Sequence, residues 1–70
     1  MCYAIVIEQA ADNYSAYVPD LPGCVATGAT LQETETQIRE AIAFHLEGRR
    51  DDGIPAPLVH IQVEYVDVAI

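Results

Sequence analysis

The stretch between residues 17 and 33 limits the folds open to this chain, because its prolines, glycines and capping residues leave the backbone few choices. Pro19 and Pro22 each remove an amide donor and fix φ, and Gly23 permits a positive φ. The segment from Pro19 to Gly23 is therefore predicted to be a stiff turn between two short strands. A Thr with a Glu three residues later then marks the start of a helix.

The predicted helix begins after the N-cap Thr30, runs from Leu31 to about Asp52, and ends at Gly53 in the left-handed conformation. Gly48 weakens its last turns by about 1 kcal/mol relative to Ala, which favours fraying there. A helical projection predicts an inward stripe made of Leu31, Thr34, Ile38, Ala41, Ile42, His45 and Leu46. The opposite side carries an acidic stripe made of Glu33, Glu40, Glu47 and Asp51.

Four strands are predicted around this helix, from their apolar runs and from alternation with a period of two. They span Cys2 to Gln9, Tyr14 to Val18, Cys24 to Thr27 and Val59 to Tyr65. In the second strand, Tyr14, Ala16 and Val18 share one face, and Ser15 and Tyr17 share the other. The order β-β-β-α-β predicts a single α+β domain over residues 1–70, in which the helix covers one face of a four-stranded sheet and the other face is bare.

The composition predicts that the domain associates with other protein chains. The 70 residues are 51% hydrophobic and carry a formal charge of -8, from eleven acidic and three basic residues. Apolar residues that do not fit inside so small a domain must be covered, which predicts a homo-oligomer, either a dimer or a tetramer, or another partner. The acidic balance argues against direct nucleic-acid binding and suits a basic protein, although many small acidic proteins are charged for solubility alone.

The expected compartment is the cytoplasm. The apolar start is short and has no basic lead, so no signal peptide is predicted, and no run is long enough to cross a membrane. Cys2 and Cys24 are then expected to be free thiols.

No residues are predicted to carry catalysis or to bind a metal or cofactor. The carboxylates Glu8, Asp12, Asp20 and Glu40 have no reason to converge as a nuclease site would require. The possible metal ligands Cys2, Cys24, His45 and His60 match no zinc spacing. His45 is expected to be a hydrogen-bonded core residue, His60 to point away from the core, and Cys24 to be a small buried apolar residue.

The run Y-V-P-D-L-P-G-C-x-A-x-G-x-T-L-x-E, followed by Ala41-Ile42, Leu46-Glu47 and D-G-I-P-A-P at residues 52–57, resembles the HicB-like antitoxin family, small partners of HicA-type RNA-cleaving toxins. The resemblance covers nearly the whole chain. It implies a partial ribonuclease H-like fold, with the last strand beside and parallel to the first. Many members continue into a DNA-binding domain, whereas this sequence ends at Ile70, so a short form that does not bind DNA is expected.

The resemblance implies binding and not catalysis: the acidic domain would dock on a basic HicA-like toxin and cover its active site. The contact residues expected are Tyr17 as an apolar anchor, the loop carboxylate Asp20, and Glu40 and Glu47 on the acidic stripe. Asp20 has a simpler alternative role, since its side chain could cap the turn. The alternative for the whole chain is a self-associating interaction module that has no toxin.

Overall fold

A computed structural model gives the structure of residues 2–70, which fold as three strands followed by one helix. The strands are β1 (Val6–Gln9), β2 (Tyr14–Tyr17) and β3 (Val25–Gly28), and the helix α1 spans Leu31–Asp51. The strands form an antiparallel sheet in the order β1-β2-β3. The α+β class is confirmed, with β1 beginning later than the predicted Cys2.

The Pro-rich turn between β2 and β3 is closed by three backbone hydrogen bonds. The amide of Leu21 donates to the carbonyl of Val18 at 3.0 Å, and the amide of Cys24 donates to the carbonyl of Leu21 at 3.0 Å. The amide of Val18 reaches the carbonyl of Cys24 at 3.1 Å. Pro22 and Gly23, which has a φ of 84°, occupy the two central positions of the second turn as a type II turn requires. The predicted stiff turn is therefore confirmed.

Both ends of α1 are capped by their local sequence. Thr30 accepts the amide of Glu33 at 3.1 Å, and the Glu33 side chain accepts the amide of Ala29 at 3.3 Å. At the other end, Gly53 has a φ of 74°, and the amides of Gly53 and Ile54 bond back to Arg50 and Arg49 in a Schellman motif. The helix runs through Gly48 and ends at Asp51, within one residue of its predicted end.

The core lies between α1 and the inner face of the sheet. Its buried apolar members are Ala16, Val18, Leu21, Cys24 and Ile38. The helix packs mainly over β3 and also over β2, and Thr34 is fully buried against Gly28. The predicted inward stripe is correct except at Leu31, which is about half exposed.

The fourth strand predicted over residues 59–65 is absent from the sheet that residues 2–70 form. We call residues 58–70 the C-terminal segment. The segment is extended and exposed throughout, although its side chains alternate as a strand's would. Alternation marks a tendency to pair, but a strand also needs a neighbouring edge, and the segment lies against none here. The prediction of a four-stranded sheet is corrected accordingly.

Candidate partner-binding surfaces

The outer face of the sheet presents an apolar row across all three strands. Tyr17 pairs with Val6 on one side and with Val25 on the other, so these three side chains lie side by side. Tyr17 is 43% exposed and Val25 is 65% exposed. A tyrosine flanked by two valines offers apolar area with a polar tip, which is typical of interface anchors. The predicted bare face is therefore present, with Tyr17 at its centre.

The outer side of α1 carries the predicted acidic residues. Glu40 and Glu47 are exposed and lie two helical turns apart, directly opposite the stripe that contains Ile38. Glu47 also borders an open groove of about 670 Å³, together with Leu46, Arg50 and Ile54. This side of the helix can attract a basic surface from a distance.

These two surfaces lie on opposite sides of the domain. Tyr17 faces away from the helix layer, and Glu40 faces away from the sheet layer. A rigid partner seated flat on one surface cannot touch the other. Tyr17 and the two glutamates expected as contact residues therefore lie on two separate faces of the domain.

Asp20 is placed differently from the other expected contacts, because it is only 4% exposed. Its Oδ2 accepts the backbone amide of Ile61 at 3.3 Å, and its Oδ1 lies 2.8 Å from His60 Nδ1. The second contact has ion-pair distance without hydrogen-bond geometry, since Oδ1 has no directed hydrogen bond within residues 2–70. Asp20 therefore holds the C-terminal segment, a role that sequence reasoning missed, and its burial leaves no free carboxylate for a docking partner.

A second contact fixes the chain just before this point. The Tyr3 hydroxyl donates to the carbonyl of Pro57 at 2.8 Å, from a residue far away in the sequence. The C-terminal segment is thus held at its base by residues of two other parts of the domain, Tyr3 and Asp20, and extends freely beyond Ile61.

Asp20→Asn is expected to loosen this attachment while leaving the domain folded. The amide keeps the size of the carboxyl group but loses the charge that strengthens the hydrogen bond from Ile61 N–H. Hydrogen exchange at the Ile61 amide should become about tenfold faster, the change expected when a charge-assisted hydrogen bond is weakened by about 1.4 kcal/mol. Asp12→Asn, in the exposed hairpin turn, is the matched control and should leave that amide unchanged. Equal exchange in both variants would contradict the role of Asp20.

The other candidate side chains do not form a chemical site. Within residues 2–70, no three His, Cys, Asp or Glu side chains are grouped so that they could hold a metal ion. Glu8 and Asp12 are exposed near the hairpin, remote from the buried Asp20. The prediction that His45 is hydrogen-bonded in the core is wrong, since its buried Nε2 has no hydrogen-bond partner among the described residues. No helix of this part of the chain is long and apolar enough to cross a membrane.

The two cysteines should differ strongly in reactivity. Cys24 is buried, and burial raises the pKa of its thiol, whereas Cys2 is exposed. Because the thiolate is the reacting form, we expect an alkylating reagent at mildly alkaline pH to modify Cys2 at least about tenfold faster. Mass spectrometry of timed samples measures both rates. The unfolded chain in denaturant is the control, where the two rates should converge; equal rates in the folded protein would contradict the burial of Cys24.

Comparison with known proteins gives a consistent result. The family described as "HicB_like antitoxin of bacterial toxin-antitoxin system" matches residues 3–68. A chain from the solved "HicA3 and HicB3 toxin-antitoxin complex" is similar in structure, with a TM-score of 0.67 and 33% sequence identity. That match covers 79% of this chain and 64% of the other.

Two relatives of known sequence show the same similarity. An "Uncharacterized 14.9 kDa protein in rep-hol intergenic region" of Haemophilus phage HP1 is 40% identical over 67 residues, covering 96% of this chain. The chain spans 50% of the length of that relative. A "UPF0150 protein" of Archaeoglobus fulgidus is 40% identical over 52 residues. The match covers 73% of this chain and 75% of the Archaeoglobus protein.

Proposed function

Because this chain belongs to the family of HicB-like antitoxins of bacterial toxin-antitoxin systems, we propose that it neutralises a small basic HicA-like toxin by docking on it and covering its active site. The chain acts in this proposal by binding and not by catalysis. A toxin that cleaves RNA works in the cytoplasm, and the antitoxin is placed there with it. The structural similarity to a chain of a HicA3 and HicB3 complex is the observation that carries the proposal.

The acidic side of α1 is the surface we assign to the toxin. A net charge of -8 steers a basic partner toward the domain, and Glu40 and Glu47 concentrate part of that charge on one exposed side. The same charge disfavours direct binding of nucleic acid by this domain. Tyr17 remains the proposed anchor for docking on the opposite sheet face, and Asp20 could contact a partner only after the C-terminal segment had been released.

The proposal is tested by co-expression with any small basic protein that is encoded beside this chain. The basic protein carries the tag, and both co-elution and suppression of RNA cleavage are measured. Co-elution with lost cleavage supports the antitoxin function. Absence of binding even at low salt, where charge attraction is least screened, would overturn it for that neighbour.

Reversing the charge of the acidic side should weaken the complex. The double variant Glu40→Lys, Glu47→Lys is expected to bind about tenfold more weakly, because each lost exposed charge contact contributes about 0.2–1 kcal/mol and reversal adds repulsion. Titration calorimetry against the tagged toxin measures the change. The matched control is Glu8→Lys, an exposed carboxylate of β1 on the other layer. Weakening by Glu8→Lys and Tyr17→Ala, but not by the helix variant, would move the docking site to the sheet face.

A second candidate function is a self-associating interaction module without a toxin. The exposed apolar side chains of the C-terminal segment favour it, since single domains rarely leave so many large apolar side chains close together in water. The two functions differ in their need for a neighbouring basic protein. The co-expression experiment therefore distinguishes them.

A further inference from the structure

The chain exposes more surface than a folded monomer of its size should. Its accessible surface is 5558 Å², whereas a compact protein of 7.6 kDa is expected to expose about 4,300 Å². The excess is about 1,300 Å² per chain, or about 2,500 Å² for two copies, which falls in the range of obligate dimers, about 2,000–5,000 Å². A second copy of this chain would thus be sufficient to cover the excess.

Much of this excess lies in the C-terminal segment. Tyr65 is 98% exposed, and Val63, Val66 and Val68 are also exposed. The longest dimension of the chain is 49 Å, although α1 itself is only about 32 Å long at 1.5 Å per residue. The segment therefore projects beyond the body of the domain. Its apolar and polar side chains alternate as in a strand, and they are exposed to solvent.

The edge of the sheet formed by β1 could pair with such a segment. β1 is an edge strand whose outer backbone groups are unpaired within the sheet of residues 2–70. Beside it, between the N-terminal strand region and α1, lies a groove of about 310 Å³, which we call the β1 groove. It is lined by Tyr3, Ile5, Glu35, Ile38, Arg39 and Ile42, and by no residue of the C-terminal segment.

We propose that two copies of this chain exchange their C-terminal segments, each segment adding a strand to the β1 edge of the other copy. Val63 and Tyr65, which share one face of the extended segment, would enter the β1 groove beside its apolar lining residues, while Gln62 and Glu64 face solvent. Asp67, which shares the face of Val63 and Tyr65, would approach a groove whose charged lining residues are Arg39 and Glu35.

The two-fold arrangement completes both sheets at once. Each copy supplies one segment and one groove, so the contact is self-complementary and closes as a dimer. The hold of Asp20 on Ile61 fixes where the segment leaves its own domain. This inference concerns only copies of the chain and does not depend on the presence of a toxin.

Light scattering coupled to size-exclusion chromatography gives the first test. The wild-type chain should have twice the mass of 7.6 kDa, and Val63→Asp should shift it toward the monomer by placing a carboxylate among the apolar side chains of the β1 groove. Val25→Asp, an exposed valine of the outer sheet face, is the matched control and should remain dimeric. Tyr65→Ser is a second segment variant, and circular dichroism establishes that each variant is folded.

Disulfide trapping distinguishes exchange from folding back within one chain. In a Cys2→Ser background, Ile5→Cys is combined in turn with Ile61→Cys, Val63→Cys and Tyr65→Cys. Oxidation should give a covalent dimer on a non-reducing gel if segments are exchanged, and a cross-linked monomer if each segment pairs with its own β1.

A covalent dimer together with the dissociation caused by Val63→Asp supports the proposal. A monomeric wild-type chain, a dimer broken only by Val25→Asp, or a cross-link within one chain would each overturn it. If the chain dimerises in this way but binds no basic protein encoded beside it, the segment exchange stands and the antitoxin proposal fails. The two proposals can therefore fail separately.

Discussion

Ile38→Ala is expected to lower the free energy of unfolding by about 2–5 kcal/mol, because it removes buried methyl groups and leaves a cavity. Ile38 is 1% exposed and is the buried apolar residue that α1 contributes to the core. A 70-residue domain has a total stability of only about 4–10 kcal/mol, so this change consumes a large part of it. Urea denaturation followed by circular dichroism, at one fixed protein concentration, measures the loss.

Phe44→Ala is the control for this prediction on the same helix. Phe44 is larger than Ile38 but 80% exposed, so its truncation should change the stability by less than about 0.5 kcal/mol. Equal losses in the two variants would mean that α1 does not pack through Ile38. A loss confined to Phe44→Ala would place the buried side of the helix elsewhere.

Local signals explain why the fold up to Gly53 could largely be predicted from the sequence. Pro22 and Gly23 fix their turn through their own backbone preferences, and Thr30 with Glu33 caps the helix within one turn. The Schellman motif at Gly53 likewise needs only neighbouring residues. Each of these features is decided over a few bonds, so no knowledge of the tertiary structure was required.

The missed features depend on contacts between distant residues. Alternation over residues 59–65 predicts a strand, but it does not specify a neighbouring edge, and the segment forms no strand in residues 2–70. Asp20 reads as a turn residue between two prolines, and only the folded chain brings Ile61 and His60 against it. The sequence predicts that Tyr17 and Glu40 are both surface residues. They face in opposite directions because the helix packs on the face of the sheet opposite to Tyr17.

Gly28→Ala is expected to destabilise the domain by about 1–3 kcal/mol, because the new methyl group has no room. A Cβ at this position would lie 2.6 Å from Thr34 Oγ1 and 2.8 Å from Thr34 N. The hydroxyl could not simply rotate away without cost, since it donates to the carbonyl of Thr30 at 2.8 Å, and the amide belongs to the helix itself. The first turn of α1 would have to move away from β3. Thermal and urea unfolding should both show the loss.

Gly48→Ala makes the opposite change at the other end of the same helix. Nothing lies within 4 Å of the Cβ that it adds, and the residue sits inside α1, where alanine is favoured over glycine by about 0.5–1 kcal/mol. The stability should therefore rise by that amount. The pair separates two effects of the same methyl group: chain entropy dominates at Gly48, whereas steric overlap between strand and helix dominates at Gly28. If both substitutions stabilised the domain, the close approach of β3 to the start of α1 would be wrong, and with it the way this helix is seated on the sheet.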